Sequence, residues 1–385
     1  MPRQTTQPTG NYSSCNKVTL IRGGKDYFHT LIEHIDQAAS LIHLQIYIFD
    51  DDETGRSVKE ALIRAAQRNV VVFVVVDGYA SSLPSAFIKE LKDAGIRFRW
   101  FEPLMKSRYF YFGRRLHHKV VVFDAKYALV SGLNISDRYN DMPDQPAWLD
   151  FGVLVEGDDA HELCVICTDI WRQARWSFKR DPQISIPAAG KNTFTDCMVR
   201  IRRNDWVRMK NQITRSYLEM LKRSNNEVII MSSYFLPGRL IRRYLKHATR
   251  RGVKIKVIVA GVSDVVIAKQ AEKYMYQWLL RHNMRLFEYK KVVLHAKVAV
   301  ADQEFATIGS YNVNNISTYA SVELNLDIYN KRFAETIHST LSKIIEQDCE
   351  EVTTENFVQQ HGIFHRLLQW TAYQIVRVLR ADGRK

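Results

Sequence analysis

The sequence contains an internal repeat that covers most of its 385 residues. The segment LHHKVVVFD at 116–124 returns as LHAKVAVAD at 294–302, so that position 295 corresponds to position 117. The flanking pattern returns in the same order, because a basic helix end precedes a buried β-branched strand near Asn69 and again near Gly252. A repeat of this length predicts two similarly folded halves.

Each half alternates amphipathic helical patterns with short β-branched runs such as VVVFVVVD at 70–77. This alternation is typical of α/β units around a largely buried sheet. We therefore predict an α/β fold of two similar α/β/α sandwich domains, in which mixed sheets are flanked by helices and a pseudo-two-fold axis relates the halves. Helices are predicted at 25–39, 55–68, 84–93, 157–175 and 205–223.

Composition suggests where the halves join. A segment rich in Pro, Gly and small polar residues at 181–195 predicts the linker. The predicted units are a flexible tail at 1–15, a first domain at 16–185, a second domain at 186–355 and a basic amphipathic C-terminal helix at 356–385.

The chain is strongly basic, with a formal net charge of +14 and a pI near 9.5. This predicts a polyanionic partner, which leaves nucleic acid, an anionic membrane surface or a phosphorylated substrate. Five scattered cysteines argue against a disulfide framework and favour a reducing compartment. The start, MPRQTTQPTGNYSSC, has no apolar h-region, so we expect no signal peptide. The longest apolar run, Val70–Val76, is far short of the ~20 residues that span a bilayer, so we expect no transmembrane helix.

The repeated segments both contain a His-x-Lys-x-x-x-x-Asp motif. Because side chains alternate along a strand, His117 and Lys119 point to one face, as do His295 and Lys297. A single copy is a weak signal, whereas two copies at matching places in a repeat are a strong one. Each motif ends in a turn Asp and is followed by an Asn at the same distance from its His: Asp124 and Asn134 in the first half, Asp302 and Asn312 in the second.

These residue types suit chemistry at a phosphodiester. Lys and Asn can hold the non-bridging oxygens, one imidazole can attack phosphorus, and the other can protonate the leaving alcohol. Such a site requires the two halves to face each other. The alternative is that two strands kept a polar face and a turn Asp from a duplicated ancestor, but buried charge is costly unless it is paired.

An attacking His needs a carboxylate that fixes its tautomer. Asp150 follows the first motif and Glu323 follows the second, and each opens a strand candidate that could lie beside its motif strand. We predict that Asp150 orients His117 and that Glu323 orients His295. The alternative is that each is an ordinary acid at the end of a strand.

The doubled motif with its following Asn resembles the phospholipase D superfamily over about residues 16–350. Within it, the segments SGLNISDRY, SSYFLP and SVELN are most similar to bacterial cardiolipin synthases, and to the shorter ones without N-terminal membrane helices. The resemblance implies two catalytic His, phosphate-binding Lys and Asn, and no metal or other cofactor. It also implies that Asp124 and Asp302 are largely structural. Ser131, where a Gly is usual, departs from the pattern, as does Asn314-Asn315-Ile316 after the second motif.

Two further segments are candidates for membrane contact. The run at 106–119, which includes Arg114 and Arg115, mixes aromatic and basic residues and suits an anionic lipid interface, stacked bases or a partly buried loop. The stretch 363–380, with Trp370 and Arg377, predicts a basic amphipathic helix. That helix either anchors the protein on a membrane surface or docks on the second domain or a partner subunit.

The resulting hypothesis is a phosphatidyl transferase that uses an anionic phospholipid, phosphatidylglycerol, at the inner face of the cell membrane, as a cytoplasmic and peripherally attached enzyme. His117 would take the phosphatidyl group with the help of His295. The alternatives are hydrolysis of phospholipid or nucleic acid at the same site, and a membrane-binding protein with a fossil site. The last needs a broken motif, and both copies are intact.

Overall fold

The structure is a computed structural model that describes residues 10–103, 114–174, 184–188, 197–263, 265–314, 321–360 and 363–378. The first-half strands are β1 Ser13–Arg22, β2 Leu41–Ile46, β3 Val71–Asp77, β4 Arg97–Phe101, β5 Arg115–Leu116, β6 Lys119–Phe123, β7 Tyr127–Ser131 and β8 Phe151–Gly157. Its helices are α1 Lys25–Gln37, α2 Glu53–Gln67, α3 Ser85–Asp93 and α4 Asp158–Gln173.

The second half repeats this order. Its strands are β9 Cys197–Asp205, β10 Lys210–Asn211, β11 Glu227–Ser232, β12 Lys254–Ala260, β13 Arg285–Tyr289, β14 Lys297–Ala301, β15 Phe305–Gly309, β16 Ser321–Tyr329 and β17 Cys349–Val352. Its helices are α5 Gln212–Arg223, α6 Arg239–Arg250, α7 Val266–Leu280, α8 Lys331–Asp348, α9 Thr354–Gln360 and α10 Ile363–Val378.

The sheet shows the predicted symmetry directly. Strand order in the first half is β4-β3-β2-β6-β7-β8-β1, and the corresponding order in the second half is β13-β12-β11-β14-β15-β16-β9. In each half three strands are parallel and the others antiparallel. Antiparallel pairing of β1 with β9 joins both halves into one continuous sheet. The predicted α/β fold with two related halves is confirmed.

A shared core fixes the two halves against each other. One buried cluster combines sheet residues of both halves with α4 and α8, as illustrated by Val153 and Ile170 from the first half and Leu326 and Ile337 from the second. Two separate outer cores lie under α1–α3 and under α5–α7. The inner layer is therefore one hydrophobic unit, which holds the ends of the motif strands in place.

Several predicted bounds were wrong. Residues 13–15, predicted as tail, begin β1, where they pair with β9. The predicted helix at 205–223 begins only at Gln212, because 205–211 contain the end of β9, a short 3₁₀ turn and β10. The predicted C-terminal helix corresponds to α9 and α10, and positions 361–362 between them lie outside the described residues. Most of the predicted linker also lies outside them.

Among the described helices, none has the length and apolar character needed to cross a bilayer.

Candidate active site

The first motif is held at its start by the second half of the protein. The segment before it, β5, pairs in parallel with β16, so that Leu116 lies opposite Val322. The backbone N–H groups of His117 and His118 then donate to the Val322 carbonyl at 3.0 and 2.9 Å. The position of His117 therefore depends on a strand from the other half.

The second motif is held reciprocally by the first half. Leu149 forms a parallel bridge with Leu294. The Leu149 N–H donates to the carbonyl of Val293 at 2.9 Å, and the N–H of His295 donates to the Leu149 carbonyl at 2.8 Å. The two motifs are thus clamped by backbone hydrogen bonds across the pseudo-two-fold axis.

The carboxylates consequently pair with the histidines in a crossed arrangement. The Nδ1 atom of His117 lies 2.9 Å from Oε2 of Glu323, and Nδ1 of His295 lies 2.6 Å from Oδ2 of Asp150. The predicted partners, Asp150 for His117 and Glu323 for His295, were wrong. The reason lies in the backbone contacts described above. Asp150 directly follows Leu149, which is hydrogen-bonded to the second motif, and Glu323 directly follows Val322, which is hydrogen-bonded to the first motif. Nδ1–H pairing with a carboxylate leaves the lone pair on Nε2, the nitrogen that can attack or accept a proton.

The two carboxylates sit in different surroundings. Asp150 packs against Gly132, where a Cβ atom would come within 2.5 Å of Oδ1 and 2.8 Å of Cγ. At the equivalent position of the second half stands Ser310, whose hydroxyl donates to Oε2 of Glu323. Only glycine at position 132 therefore leaves room for Asp150. The neighbouring Ser131, where the family pattern usually has Gly, donates from its hydroxyl to that of Tyr27 at 3.1 Å.

The motif lysines are almost completely buried beside the histidines. Lys119 is 1% exposed, and its Nζ donates to the carbonyl of His117 at 2.5 Å and lies 5.0 Å from the Tyr47 ring. Lys297 donates to the carbonyl of His295, and its Nζ lies 2.9 Å from His295 Nδ1. Both ammonium groups therefore sit within the same cluster as the imidazoles.

Burial shifts the pKa values of this cluster. It lowers the pKa of His117, although the neighbouring Glu323 raises it. Burial likewise lowers the pKa of Lys119 to about 7. It raises the pKa of Asp150 to about 6, although the neighbouring Lys297 lowers that pKa. Lys297 also acts on the pKa values of His117 and Lys119, so the two half-sites lie within electrostatic range of each other. Near neutral pH the cluster can therefore contain a neutral imidazole next to groups that titrate readily.

The two Asn residues have different environments. Oδ1 of Asn134 accepts from the N–H of Ile48 at 3.1 Å, and its Nδ2 donates to the Tyr139 hydroxyl at 2.9 Å. Asn312 is also buried, but its Oδ1 has no hydrogen-bond partner in the described part of the chain. The side chain of Asn134 is thus hydrogen-bonded at both polar atoms, whereas Oδ1 of Asn312 could accept a hydrogen bond from a ligand. Phosphate binding by either remains a prediction.

The motif aspartates hold the same turn in both halves. Asp124 accepts hydrogen bonds from the backbone N–H groups of 39–41, and Asp302 accepts from those of 225–227. Both have φ of +51°, and the next residue is also left-handed, as in a tight hairpin turn. Each carboxylate therefore ties the hairpin of its motif to the start of the neighbouring strand, far from the histidines along β6 or β14.

His118 points away from the site, as strand alternation predicts. Its Nε2 lies 2.9 Å from Oε1 of Gln45, inside the core. Burial lowers the pKa of His118 well below the usual value.

The predicted membrane contact of Arg114 was wrong. Its guanidinium is buried and pairs with Asp205 at 2.8 Å and with Glu102 at 2.5 Å, because a charge at this depth needs carboxylate partners. Arg115 lies over the Tyr79 ring at 4.2 Å. Positions 106–113 of the same run lie outside the described residues.

The C-terminal candidates for membrane contact lie on α10. Trp370 is exposed by 46%, while the Arg377 side chain lies outside the described part of the chain. Membrane contact by either residue remains a prediction.

Three aromatic residues near the histidines were not predicted. Tyr47 makes an edge contact with His117 at 4.8 Å between ring centroids. Tyr139 and Trp148 lie 5.0 and 6.1 Å from His295. Tyr139 comes shortly after Asn134 and Trp148 shortly before Asp150, so closeness to these residues in sequence was the available signal.

The same cluster offers no set of metal ligands. Among the described residues, no group of three or more His, Cys, Asp or Glu side chains is placed to hold a metal ion. The metal independence of the chemistry remains a prediction.

Comparison with known proteins identifies the family. A family model described as cardiolipin synthase with a phospholipase D-like domain matches residues 31–146 and 217–345. Cardiolipin synthase B of Escherichia coli strain K12 is 33% identical over 347 residues, which are 88% of this chain and 82% of that protein. Cardiolipin synthase 1 of Bacillus anthracis is 27% identical over 379 residues, 95% of this chain and 74% of the relative.

The fold has a counterpart among solved structures. The phosphatidylserine synthase of Haemophilus influenzae matches with a TM-score of 0.74 at 13% identity, over 94% of both chains. This likeness agrees with the paired-half architecture. The resemblance inferred from the doubled motif is confirmed, and the chain belongs to the family of cardiolipin synthases with a phospholipase D-like domain.

Proposed function

We propose that the protein is a phosphatidyl transferase of the cardiolipin synthase type. The observation that carries this proposal is the pair of crossed contacts, His117 with Glu323 and His295 with Asp150, in a chain whose relatives are named cardiolipin synthases. Two oriented imidazoles beside two buried lysines provide a nucleophile, an acid and base, and positive charge for one phosphodiester.

The reaction would proceed in two balanced steps. First, Nε2 of His117 attacks the phosphorus of phosphatidylglycerol, and the glycerol oxygen leaves with a proton from His295. Next, His295 accepts the proton of a glycerol hydroxyl on a second phosphatidylglycerol, and that oxygen attacks the phosphohistidine. The products are cardiolipin, glycerol and the original His117, and two molecules of phosphatidylglycerol are the only reactants consumed.

The choice of His117 as the nucleophile rests on the family resemblance, and the lowered pKa of His117 agrees with it. A nucleophilic imidazole must be neutral, and burial lowers the pKa of His117. His295 lies 2.6 Å from Asp150, and a close carboxylate stabilises an imidazolium that is to donate a proton. Lys119 and Lys297 would neutralise the non-bridging oxygens.

The surface next to the site suits a lipid bilayer. Lys297 starts β14 opposite Ser232, the last residue of β11, and β12 ends on the same side. The chain then continues into the apolar tip, which we define as Val262, Val265, Val266 and Ile267; all four are exposed, Val266 by 73%.

Helix α10 adds a second apolar surface. It packs on α7 through Ala372 and Tyr373, the latter 4.8 Å from the Tyr274 ring, while its other side leaves apolar side chains exposed. These are Leu367, Leu368, Trp370 and Ile375. Exposed apolar groups on a chain of net charge +14 fit peripheral attachment to an anionic membrane, at the inner face in our proposal.

The test is synthesis from a single lipid. Purified protein is mixed with phosphatidylglycerol vesicles in EDTA, and cardiolipin and glycerol are quantified. We expect equimolar products, which His117→Ala abolishes. Release of glycerol with phosphatidic acid instead of cardiolipin would show a hydrolase, and the absence of both products would reject the proposal.

A further inference from the structure

Arg203 in β9 is a buried cation whose guanidinium is poorly satisfied. The residue is 6% exposed, and its Nε and Nη2 atoms are buried with no hydrogen-bond partner among the described residues. A buried guanidinium is normally paired with a carboxylate, because desolvation of an unpaired charge is costly. An unpaired one therefore points to an anion that it binds.

The nearby carboxylates are engaged elsewhere. Asp205 shares the strand face of Arg203, but its two oxygens accept from Arg114 at 3.3 and 2.8 Å. Asp169 affects the pKa of Arg203, but it lies 3.8 Å from the guanidinium of Arg172. Neither acid forms a hydrogen bond with the Nε or Nη2 atom of Arg203.

Two further cations lie near this guanidinium. Lys210 pairs with Asp205 across the β9–β10 hairpin, which places its side chain on the face that carries Arg203. Arg208 ends the short turn between those strands. Burial, followed by Arg203 and Arg208, lowers the pKa of Lys210. The three cations therefore repel one another at close range.

The arginines on the opposite face of β9 provide a contrast. Arg200 and Arg202 both contact Asp327, at 2.8 and 3.2 Å, and both pair with Glu219. The same strand thus carries arginines with carboxylate partners on one face and, on the other, an arginine that has no such partner within the described ranges.

We propose that Arg203, Arg208 and Lys210 form an anion site that binds a phosphate group. A guanidinium fork matches two phosphate oxygens, and the lysine adds a point charge. The site is separate from the motif histidines, because Arg203 lies opposite Leu324 in the β9–β16 register, whereas Glu323 lies opposite Asn204. It faces the side of the sheet that carries the shared core and His118, whose pKa Arg203 lowers.

Calorimetric titration tests the site with two probes, inorganic phosphate and short-chain dihexanoyl phosphatidylglycerol. Full-length wild type is compared with Arg203→Met and with the matched charge control Arg56→Met, an exposed residue of α2. We expect Arg203→Met to weaken binding of at least one probe by about tenfold to a hundredfold, because the variant loses charge-assisted hydrogen bonds to the phosphate. Arg56→Met should bind as wild type.

The two probes distinguish the source of the phosphate. A loss confined to inorganic phosphate assigns a free-phosphate site, and a loss confined to the lipid assigns a headgroup site. Unchanged binding of both probes to Arg203→Met overturns the proposal. If circular dichroism shows that this variant is unfolded, the double variant Arg208→Gln and Lys210→Gln, at less buried positions, takes its place with the same criteria. Cardiolipin formation is measured separately, so either proposal can fail alone.

Discussion

At the scale of single residues, each motif histidine depends on a carboxylate from the other half of the chain. His117 is oriented by Glu323, and His295 by Asp150. Sequence spacing could not reveal this, because an acid downstream in the same half looks equally suitable. The exchange follows from backbone hydrogen bonds at Val322 and Leu149 that no residue pattern encodes.

The crossed pairing predicts residue-specific effects. In Glu323→Gln the imidazole ¹⁵N resonances of His117 should change more than those of His295, and in Asp150→Asn the reverse should hold. Each variant should lower kcat by about 10²–10⁴-fold, because its histidine loses the group that fixes its tautomer. NMR of ¹⁵N-histidine protein and steady-state assays provide the two measurements.

The control for this prediction is Asp159→Asn. Asp159 is another buried carboxylate, and burial raises its pKa to about 6, but it binds Asn16 and Ser13 outside the site. The control variant should leave both histidine spectra unchanged. Changes at His117 in Asp150→Asn that match those in Glu323→Gln would refute the pairing.

The pH dependence of activity should be set by buried charges. A lysine is charged below its pKa, so Lys119, with a pKa of about 7, loses its positive charge as the pH rises through 7. Asp150, with a pKa of about 6, loses its negative charge as the pH falls through 6. We therefore expect kcat/KM to decline on both sides of this interval.

Lys119→Arg tests whether deprotonation of Lys119 causes the decline of kcat/KM at alkaline pH, the alkaline limb of the profile. Because a guanidinium stays charged, the limb should move to higher pH, whatever the height of the profile. The measurement is the pH profile of kcat/KM. An alkaline limb at the same pH in Lys119→Arg would assign it to another group.

At the scale of elements, the repeat and the residue periodicities predicted the alternating strands and helices well. The run at 70–77 contains β3, and the helix predicted at 84–93 is α3, which Pro84 and Gly95 flank. The failures fall where local pattern conflicts with tertiary pairing. Residues 205–211 resemble the start of a helix, but they pair as a hairpin. Arg114 lies in a basic run that suggests an exposed side chain, but two carboxylates pair with it in the interior.

The apolar tip should contribute to membrane attachment. Val266→Asp introduces a charge where the proposed bilayer contact lies and should weaken binding to phosphatidylglycerol vesicles by about tenfold or more. Vesicle co-sedimentation measures the effect. Activity on dihexanoyl phosphatidylglycerol should stay near that of wild type, since the tip does not touch the motif residues.

Val71→Asp is the matched control. Val71 is exposed by 39% at the start of β3, the strand end remote from the motifs. Equal losses of vesicle binding in both variants would indicate a general effect of added negative charge rather than a defined surface.

At the scale of the whole molecule, one sheet and one inner core run through both halves. We therefore expect a single cooperative thermal transition rather than one for each half. Leu324→Ala in the shared core and Leu245→Ala in the outer core of the second half should each destabilise by about 2–5 kcal/mol and shift the same peak. Differential scanning calorimetry would contradict this if Leu245→Ala split the transition in two.

Whole-molecule symmetry was readable from the sequence because the repeat preserved the order of the major strands. The asymmetry between the two half-sites was not. This asymmetry depends on the small residue next to each carboxylate, which is Gly132 beside Asp150 and Ser310 beside Glu323. In both cases the two residues come from neighbouring strand ends, so their contact is not visible in the sequence.

The contacts of Gly132 with Asp150 and of Ser310 with Glu323 have a genetic consequence. Each half carries a different matched pair, a short acid with glycine in the first and a long acid with serine in the second. A change at one member is expected to be harmful until the other changes too, so the four positions should vary among descendants as two linked couples. The surroundings of the two equivalent histidines should therefore tolerate different substitutions.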